Sequence, residues 1–158
     1  MTVEPNTIVD ALATVLTGPA VLHEPEFAGK EWEYVKDCLD TGWVSTAGKY
    51  VETFEEMLSD FTGAKHAVAC VNGTAALHAC FLLAGIESGD EVIMPTFTIV
   101  SCLVATLRLG AIPVLVDVEP VTWGMDVGQV ASRLTPRTKA IMPVDFRGHP
   151  ANLPEIRK

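Results

Sequence analysis

Apolar runs alternate with helical segments through the second half of the chain, and this pattern restricts the possible folds most. Each run is short and bounded by turn residues, as buried strands are. The strands are predicted at His66–Val71, Glu91–Met94, Ile112–Val116 and Lys139–Val144. The helices between them are predicted at Thr74–Ala84, Thr98–Leu109 and Asp126–Leu134. Continuous apolar strands joined by helices predict an α/β fold with a mostly parallel sheet and helices on its faces.

The first third of the chain shows only helical spacing. Apolar residues recur at helical intervals over 8–16, 30–39 and 50–61, and they predict three helices. The third helix is expected to bury its apolar face, which includes Met57 and Phe61. A loop over 41–48 separates the second and third helices and carries Trp43, Ser45 and Thr46.

Composition narrows the classes of partner and compartment. The formal net charge of −9 and pI of about 4.8 argue against nucleic acid and anionic membrane surfaces as partners. No apolar stretch approaches the roughly 18 residues of a membrane helix, and the N-terminus lacks a signal-peptide pattern. The four cysteines form no CxxC pair and match no zinc spacing, so we expect no metal site. Three lie in apolar segments, where we expect small buried side chains in a cytoplasmic protein.

The turn at Asn72-Gly73-Thr74 is the strongest candidate for a binding site. It joins a predicted strand to a predicted helix, so backbone N–H groups and the positive end of the helix dipole converge there. These donors favour an anion, most simply a phosphate. Gly73 allows close approach of the backbone, and the Thr74 hydroxyl can cap the helix or bind the anion. The alternative is an ordinary turn with an N-cap.

The loop Pro95–Ile99 follows the next predicted strand and should lie beside that turn. A flat apolar side chain in this loop can cover one face of a planar cofactor. Equally, Thr96 or Thr98 can cap the next helix while Phe97 fills the core.

Three other polar residues have simpler interpretations. Asp117 and Asp145 follow strands and are expected to be helix caps or loop braces rather than ligands. His78 lies within an apolar helix and is expected to be a core histidine with its hydrogen bonds satisfied.

Several segments, taken in order, resemble the sugar-nucleotide aminotransferases of the DegT/StrS group. The resemblance runs from about Leu22 to Lys158. The segments that carry it are Gly48…Phe54-Glu55, Asn72-Gly-Thr-Ala-Ala-Leu77, Gly89-Asp-Glu-Val-Ile93-Met-Pro95, Phe97-Thr98, Gly110-Ala-Ile-Pro-Val114, Asp117 and Thr135-Pro-Arg-Thr-Lys-Ala-Ile141-Met-Pro-Val144.

The resemblance implies the N-terminal part of the three-layer major domain of a fold-type-I enzyme over 22–158, preceded by a helical extension over 1–21. It implies pyridoxal 5′-phosphate as cofactor, its phosphate cradled by Gly73, Thr74 and Ala75. Ile99 would lie over the pyridine ring, at a position that is aromatic in many members. A further set would approach the sugar nucleotide: Trp43, Ser45 and Thr46.

The same resemblance implies amino transfer from an amino acid, most simply glutamate, to a keto-sugar nucleotide by a homodimeric enzyme. The family's Schiff-base lysine lies beyond Lys158, and Lys139, at the start of a strand, is no substitute. We therefore assign no catalytic residue and expect the 158-residue chain alone to be inactive. Three alternatives stay open: a sugar dehydratase of the same family, a non-catalytic domain completed by a partner chain, and a generic phosphate-binding α/β module.

Overall fold

The computed structural model describes residues 4–16, 18 and 24–157. It divides into two compact units, Met1–Ala67 and Val68–Lys158.

The first unit is helical, as its periodicity predicts. Its helices are α1 (Pro5–Val15), α2 (Glu31–Thr41) and α3 (Lys49–Thr62). Gly42 ends α2 with φ of 76°, a left-handed conformation that glycine adopts without strain. The expected burial of the α3 apolar face is wrong: none of its residues is buried, and Phe61 is 91 % exposed. Periodicity indicates which face is apolar, whereas burial requires a neighbouring element that covers it.

The second unit contains a parallel sheet of three strands. They are β1 (Glu91–Pro95), β2 (Ile112–Val116) and β3 (Thr138–Ile141), in the order β2-β1-β3. Glu91 is the register partner of Ile112 on one side and of Thr138 on the other. All five residues of the central strand are buried, as a parallel strand covered on both faces should be.

Helices cover both faces of this sheet. They are α4 (Gly73–Leu83), α5 (Val100–Arg108), α6 (Val127–Arg133) and α7 (Leu153–Ile156), with a 3₁₀ turn at Phe146–Gly148. Val92 and Met94 pack with residues of α4 and α5, including Phe81 and Ala105. Ile93, between them, packs with Val130 of α6 and Ile156 of α7. Alternate residues of β1 thus face opposite helical layers, and the predicted three-layer α/β fold is confirmed.

An ion pair between a buried carboxylate and an exposed guanidinium holds the amino end of the central strand. Glu91 is 4 % exposed, and its Oε1 accepts hydrogen bonds from Nε and Nη2 of Arg137 at 3.0 and 2.5 Å. Its Oε2 accepts a hydrogen bond from the Thr135 hydroxyl at 2.6 Å. The Thr135 hydrogen bond and then the Arg137 guanidinium hold the pKa of Glu91 below its ordinary value. The carboxylate therefore joins the start of β1 to the turn before β3.

The predicted strand at His66–Val71 is wrong. These residues belong to no helix or strand, and Val68 and Val71 are 80 % and 89 % exposed. A strand needs a neighbour for its backbone groups, and the sheet of the described residues contains β2, β1 and β3 without this segment. The apolar composition of this segment is therefore typical of a strand, but it does not ensure that the segment pairs with a sheet.

Two smaller expectations also fail. The third strand ends at Ile141 rather than Val144, and Pro143, which has no N–H to donate, follows closely. Of the four cysteines, only Cys102 is buried, while Cys70 and Cys80 are exposed. Their residue type favoured burial. Cys102 packs in the core between helix and sheet, whereas Cys70 and Cys80 do not belong to it.

Candidate functional site

Asn72 is the N-cap of α4. The Asn72 side-chain oxygen accepts a hydrogen bond from the Ala75 N–H at 2.9 Å, and Asn72 has extended backbone angles, as an N-cap requires. The suggestion that Thr74 caps this helix is therefore wrong. Asparagine is the stronger cap here because its carboxamide precedes the first helical residue, whereas Thr74 is already inside the helix.

Two backbone donors remain at the start of α4. Among the described residues, the N–H groups of Gly73 and Thr74 have no acceptor, while that of Ala75 is used by Asn72. A Cβ built on Gly73 would meet nothing within 4 Å, so the space beside Gly73 is open. The helix dipole adds positive potential at the same point. The turn is therefore suited to an anion.

The start of α5 lies against this turn. The Thr74 hydroxyl donates a hydrogen bond to the Ser101 hydroxyl at 2.9 Å, and Ser101 is the second residue of α5. Ile99, the N-cap of α5, is two residues away and 69 % exposed. The structure thus brings Gly73, Thr74 and Ile99 to the same edge of the second unit, where the carboxyl end of β1 also lies.

The structure of the loop before α5 contradicts the expectation that a threonine caps this helix while Phe97 fills the core. The N-cap of α5 is Ile99 and makes no side-chain cap hydrogen bond, so neither Thr96 nor Thr98 caps the helix. The Thr98 hydroxyl instead contacts the Cys102 sulfur at 3.2 Å, and Phe97 is not buried in the core.

Three aromatic rings from three loops meet at the carboxyl edge of the sheet. The Phe97 ring centroid lies 4.3 Å from that of Phe146 and 5.4 Å from that of Trp123. With Arg147 and His149 they line a cavity of about 460 Å³. Trp123 and Arg147 have positive φ angles of 63° and 51°, which are uncommon for residues with a Cβ. These rings give the edge of the site an apolar wall.

The strand-end aspartates act as loop braces, as predicted. Asp117 Oδ1 accepts hydrogen bonds from the Val118 N–H at 2.8 Å and from the Thr96 hydroxyl at 3.4 Å. Asp145 Oδ1 accepts one from the Ala151 N–H at 2.9 Å and so closes the loop after β3. Both carboxylates hold the backbone around the site.

The expectation for His78 is wrong. Its Nδ1 atom is buried and has no hydrogen-bond partner among the described residues. The sequence pattern places His78 on an apolar helix face, but it does not show whether a hydrogen-bond partner lies opposite that face.

The first unit contains a separate cavity of about 230 Å³ next to the loop between α2 and α3. Trp43 and Ser45 line it, but Thr46 does not. Asp37 and Lys49 form an ion pair across its wall, with 2.7 Å between Lys49 Nζ and Asp37 Oδ2.

Tyr50 completes this polar group by donating a hydrogen bond from its hydroxyl to Asp37 Oδ2 at 3.1 Å. The hydrogen bonds from Lys49 and Tyr50 lower the pKa of Asp37, and the bond to Asp37 raises the pKa of Lys49. Partial burial, followed by the Asp37 contact, raises the pKa of Tyr50. All three groups therefore keep their neutral-pH charge states.

Sequence reasoning missed Ser101 and the group formed by Asp37, Lys49 and Tyr50. A serine in the first turn of a helix that follows a strand end is a usable signal, and Ser101 satisfies it. Asp37 lies twelve residues before Lys49 on a different helix, and no spacing rule connects them.

The comparison with known proteins decides the family. A profile of the DegT/DnrJ/EryC1/StrS aminotransferase family matches residues 25–158. This chain belongs to that family. Its curated relatives include the GDP-perosamine synthases of Caulobacter vibrioides, 43 % identical over 132 residues, and of Escherichia coli O157:H7, 41 % identical over 135 residues. The matches cover 84 % and 85 % of this chain but 36 % and 37 % of those proteins. The chain therefore spans about a third of the length of these family members.

Solved structures of the family share the fold. The PMP form of a sugar aminotransferase from Streptococcus pneumoniae, Spr1654, superposes with a TM-score of 0.78 at 30 % identity, over 84 % of this chain and 33 % of that one. A 3-amino-5-hydroxybenzoic acid synthase gives a TM-score of 0.78 at 37 % identity, over 88 % of this chain and 36 % of that one. In the part of the chain that is described, no helix has the length and apolar character needed to cross a membrane.

Proposed function

We propose that this chain contributes the cofactor-phosphate site of a pyridoxal 5′-phosphate-dependent aminotransferase that acts on a keto-sugar nucleotide, with glutamate as the amino donor. The observation that carries the proposal is the pair of free amides at Gly73 and Thr74, placed beside Ile99 in a member of this family. The solved relatives include proteins described in their pyridoxamine and pyridoxal phosphate forms, which supports this cofactor.

The residues of the turn fit the phosphate of the cofactor. The Gly73 and Thr74 N–H groups are free to donate, and the open space beside Gly73 admits a phosphate oxygen. Ala75 serves through the shape of the turn, because its own N–H is held by Asn72. The exposed Ile99 side chain would lie against the pyridine ring and exclude water from that face. When bound, the cofactor supplies the electron sink for the carbon that loses its amino group.

The remaining assignments are parts of the same proposal. Trp43, Ser45 and Thr46 would approach the sugar nucleotide, supported by the cavity that Trp43 and Ser45 line. The sugar-nucleotide class is supported by the relatives named GDP-perosamine synthase. A homodimeric enzyme, a cytoplasmic location and a helical extension over 1–21 before a major domain from 22 onward complete the proposal.

We also propose that the 158-residue chain by itself does not transfer amino groups. Lys139 is the one lysine between Val68 and Arg157, and it lies near the start of β3. Gly73, Thr74 and Ile99 lie at the carboxyl end of the parallel strands, so Lys139 is at the opposite edge of the sheet. Lys158 is outside the described residues. No described lysine of the second unit can therefore hold the cofactor covalently at this site.

The test is a comparison of binding with turnover in the purified chain. We expect pyridoxal 5′-phosphate to bind reversibly, to be displaced by inorganic phosphate and to bind more tightly than pyridoxal, which lacks the phosphate. We expect no release of 2-oxoglutarate from glutamate. Equal affinity for the two pyridoxals would contradict the phosphate site, and sustained 2-oxoglutarate release would contradict the inactivity.

A further inference from the structure

The proposed function does not use the cavity of about 460 Å³ at the carboxyl edge of the sheet. Three aromatic rings, each from the chain segment that follows a different strand, line it: Phe97 after β1, Trp123 after β2 and Phe146 after β3. Its volume lies within the range of small-molecule sites, roughly 300–1,000 Å³. Ligands of parallel α/β sheets bind at this edge. The position and size of the cavity therefore fit a bound small molecule.

The rings that line this cavity can pack against a planar ligand. Trp123 is 53 % exposed although its ring contacts that of Phe97, because the two rings are tilted by 53°. Phe97 contacts Phe146 at a similar tilt of 45°. Aromatic rings pack with other planar rings in offset or tilted arrangements, and every nucleobase has a face that can stack on them. The cavity is therefore suited to a heteroaromatic ring.

Arg147 brings a positive charge to the same cavity. Its Cζ atom lies 5.3 Å from the Phe146 ring centroid. Within the described part of the chain its guanidinium has no ion pair and no hydrogen-bond acceptor. A guanidinium in this state can donate two parallel N–H bonds to a phosphate. The cavity therefore offers one partner for a planar ring and another for an anion.

The backbone holds both of these side chains in an uncommon conformation. In the chain as described, Trp123 and Arg147 are the two residues other than glycine with positive φ, at 63° and 51°. Glycine adopts such angles without strain, yet large side chains occupy both positions. Left-handed angles at residues with a Cβ persist where the surrounding structure fixes them, and they cluster at ligand sites. The conformation of both residues thus agrees with a binding role.

We infer that this cavity binds the nucleotide part of the substrate, with the base against the Trp123 ring and a phosphate on the Arg147 guanidinium. The inference rests on the proposed function and deepens it, since that function assigns no residue of the second unit to the nucleotide. Pyridoxal 5′-phosphate also joins a planar ring to a phosphate, but its two parts are already assigned to the Gly73 turn and Ile99. The experiment therefore separates the nucleotide from the cofactor.

Isothermal titration calorimetry of the 158-residue chain measures its affinity for guanosine diphosphate, guanosine, inorganic diphosphate and pyridoxal 5′-phosphate. Guanosine diphosphate should bind more tightly than guanosine or inorganic diphosphate, because its ring and its anion both contribute. Trp123→Gly removes the ring and tolerates the left-handed angles, so it should weaken guanosine diphosphate and guanosine about ten-fold and leave inorganic diphosphate unchanged. Arg147→Asn also tolerates these angles, and it should weaken both diphosphates about ten-fold and leave guanosine unchanged.

Control variants separate these roles from general effects on the chain. Trp32→Ala removes an exposed tryptophan of α2, and Arg133→Asn removes an exposed arginine of α6. Neither should change any of the four affinities. Trp123→Phe keeps an aromatic ring and should retain most of the guanosine affinity, which keeps the test decisive if Trp123→Gly unfolds. The affinity for pyridoxal 5′-phosphate should be the same in Trp123→Gly and in the unsubstituted chain.

Three results overturn the inference. They are guanosine diphosphate that binds no more tightly than guanosine, a Trp123→Gly chain with the guanosine affinity of Trp32→Ala, and a Trp123→Gly loss for pyridoxal 5′-phosphate as large as for guanosine diphosphate. The last result would assign the cavity to the cofactor. If the chain does not prefer pyridoxal 5′-phosphate to pyridoxal while Trp123→Gly and Arg147→Asn act as expected, the proposed function fails and the nucleotide site remains. If the preference is present and Trp123→Gly is neutral, only the inference fails.

Discussion

Replacing Gly73 with alanine should stabilise the chain and at the same time weaken phosphate binding at the proposed site. Gly73 is the first residue of α4, its φ is not left-handed, and a Cβ there meets no atom within 4 Å. Alanine should therefore raise the free energy of unfolding by about 0.4–1 kcal/mol, because it lowers the conformational entropy of the unfolded chain. For a chain of this size the melting temperature should rise by about 1–4 °C.

The same methyl group should obstruct the anion. Cα–Cβ bonds in a helix tilt toward its N-terminus, so the new methyl lies on the side from which a phosphate reaches the Gly73 and Thr74 N–H groups. Loss of one hydrogen bond to a charged group costs about 1.5–3 kcal/mol, which corresponds to about ten- to 150-fold weaker binding. The affinity for pyridoxal should not change.

Thermal unfolding and fluorescence titration of Gly73→Ala measure both effects. Gly18→Ala is the matched control, since its Cβ also meets nothing within 4 Å and its φ is not left-handed. It should leave phosphate affinity unchanged. A Gly73→Ala chain that melts higher and binds pyridoxal 5′-phosphate as tightly as the parent would refute the assignment of the phosphate to this turn.

Two further predictions concern the cap and the buried carboxylate. Asn72→Asp keeps an acceptor for the Ala75 N–H and should raise the melting temperature, because a negative charge at a helix N-terminus contributes about 0.3–1 kcal/mol. It should weaken phosphate binding by at least about five-fold, because two like unit charges in contact repel by about 1 kcal/mol even at the dielectric of water, and unchanged binding in titration would contradict it. Glu91 has a lowered pKa, so its stabilising contribution is complete above its ordinary pKa of 4.5 and is lost as pH falls through the lower folded value. Glu91→Gln should therefore melt lower at neutral pH and lose less stability as the pH falls below 4.5, and an equal change of melting temperature with pH in the two chains would argue against the carboxylate's role.

The local elements were largely predictable. Helices α2 and α4 and strand β2 begin and end within about two residues of their predicted bounds, because apolar spacing and turn residues are local properties. The turn at Gly73 was found for the same reason, since Asn-Gly-Thr before an apolar helix is visible in a few residues. Pairing is not local, and the apolar run at His66–Val71 shows this: its composition is typical of a strand, but the run does not join the sheet formed by β2, β1 and β3.

The amino-acid sequence by itself determined the α/β class, the family and the turn proposed as the phosphate site, because each depends on patterns over short stretches of chain. Only the tertiary structure placed Ser101 against Thr74, 27 residues away, and gave the helix cap to Asn72. It also left the Nδ1 of His78 without a partner among the described residues. Hydrogen bonds between side chains require distances and directions across separate helices, and these are fixed only when the helices pack against the sheet.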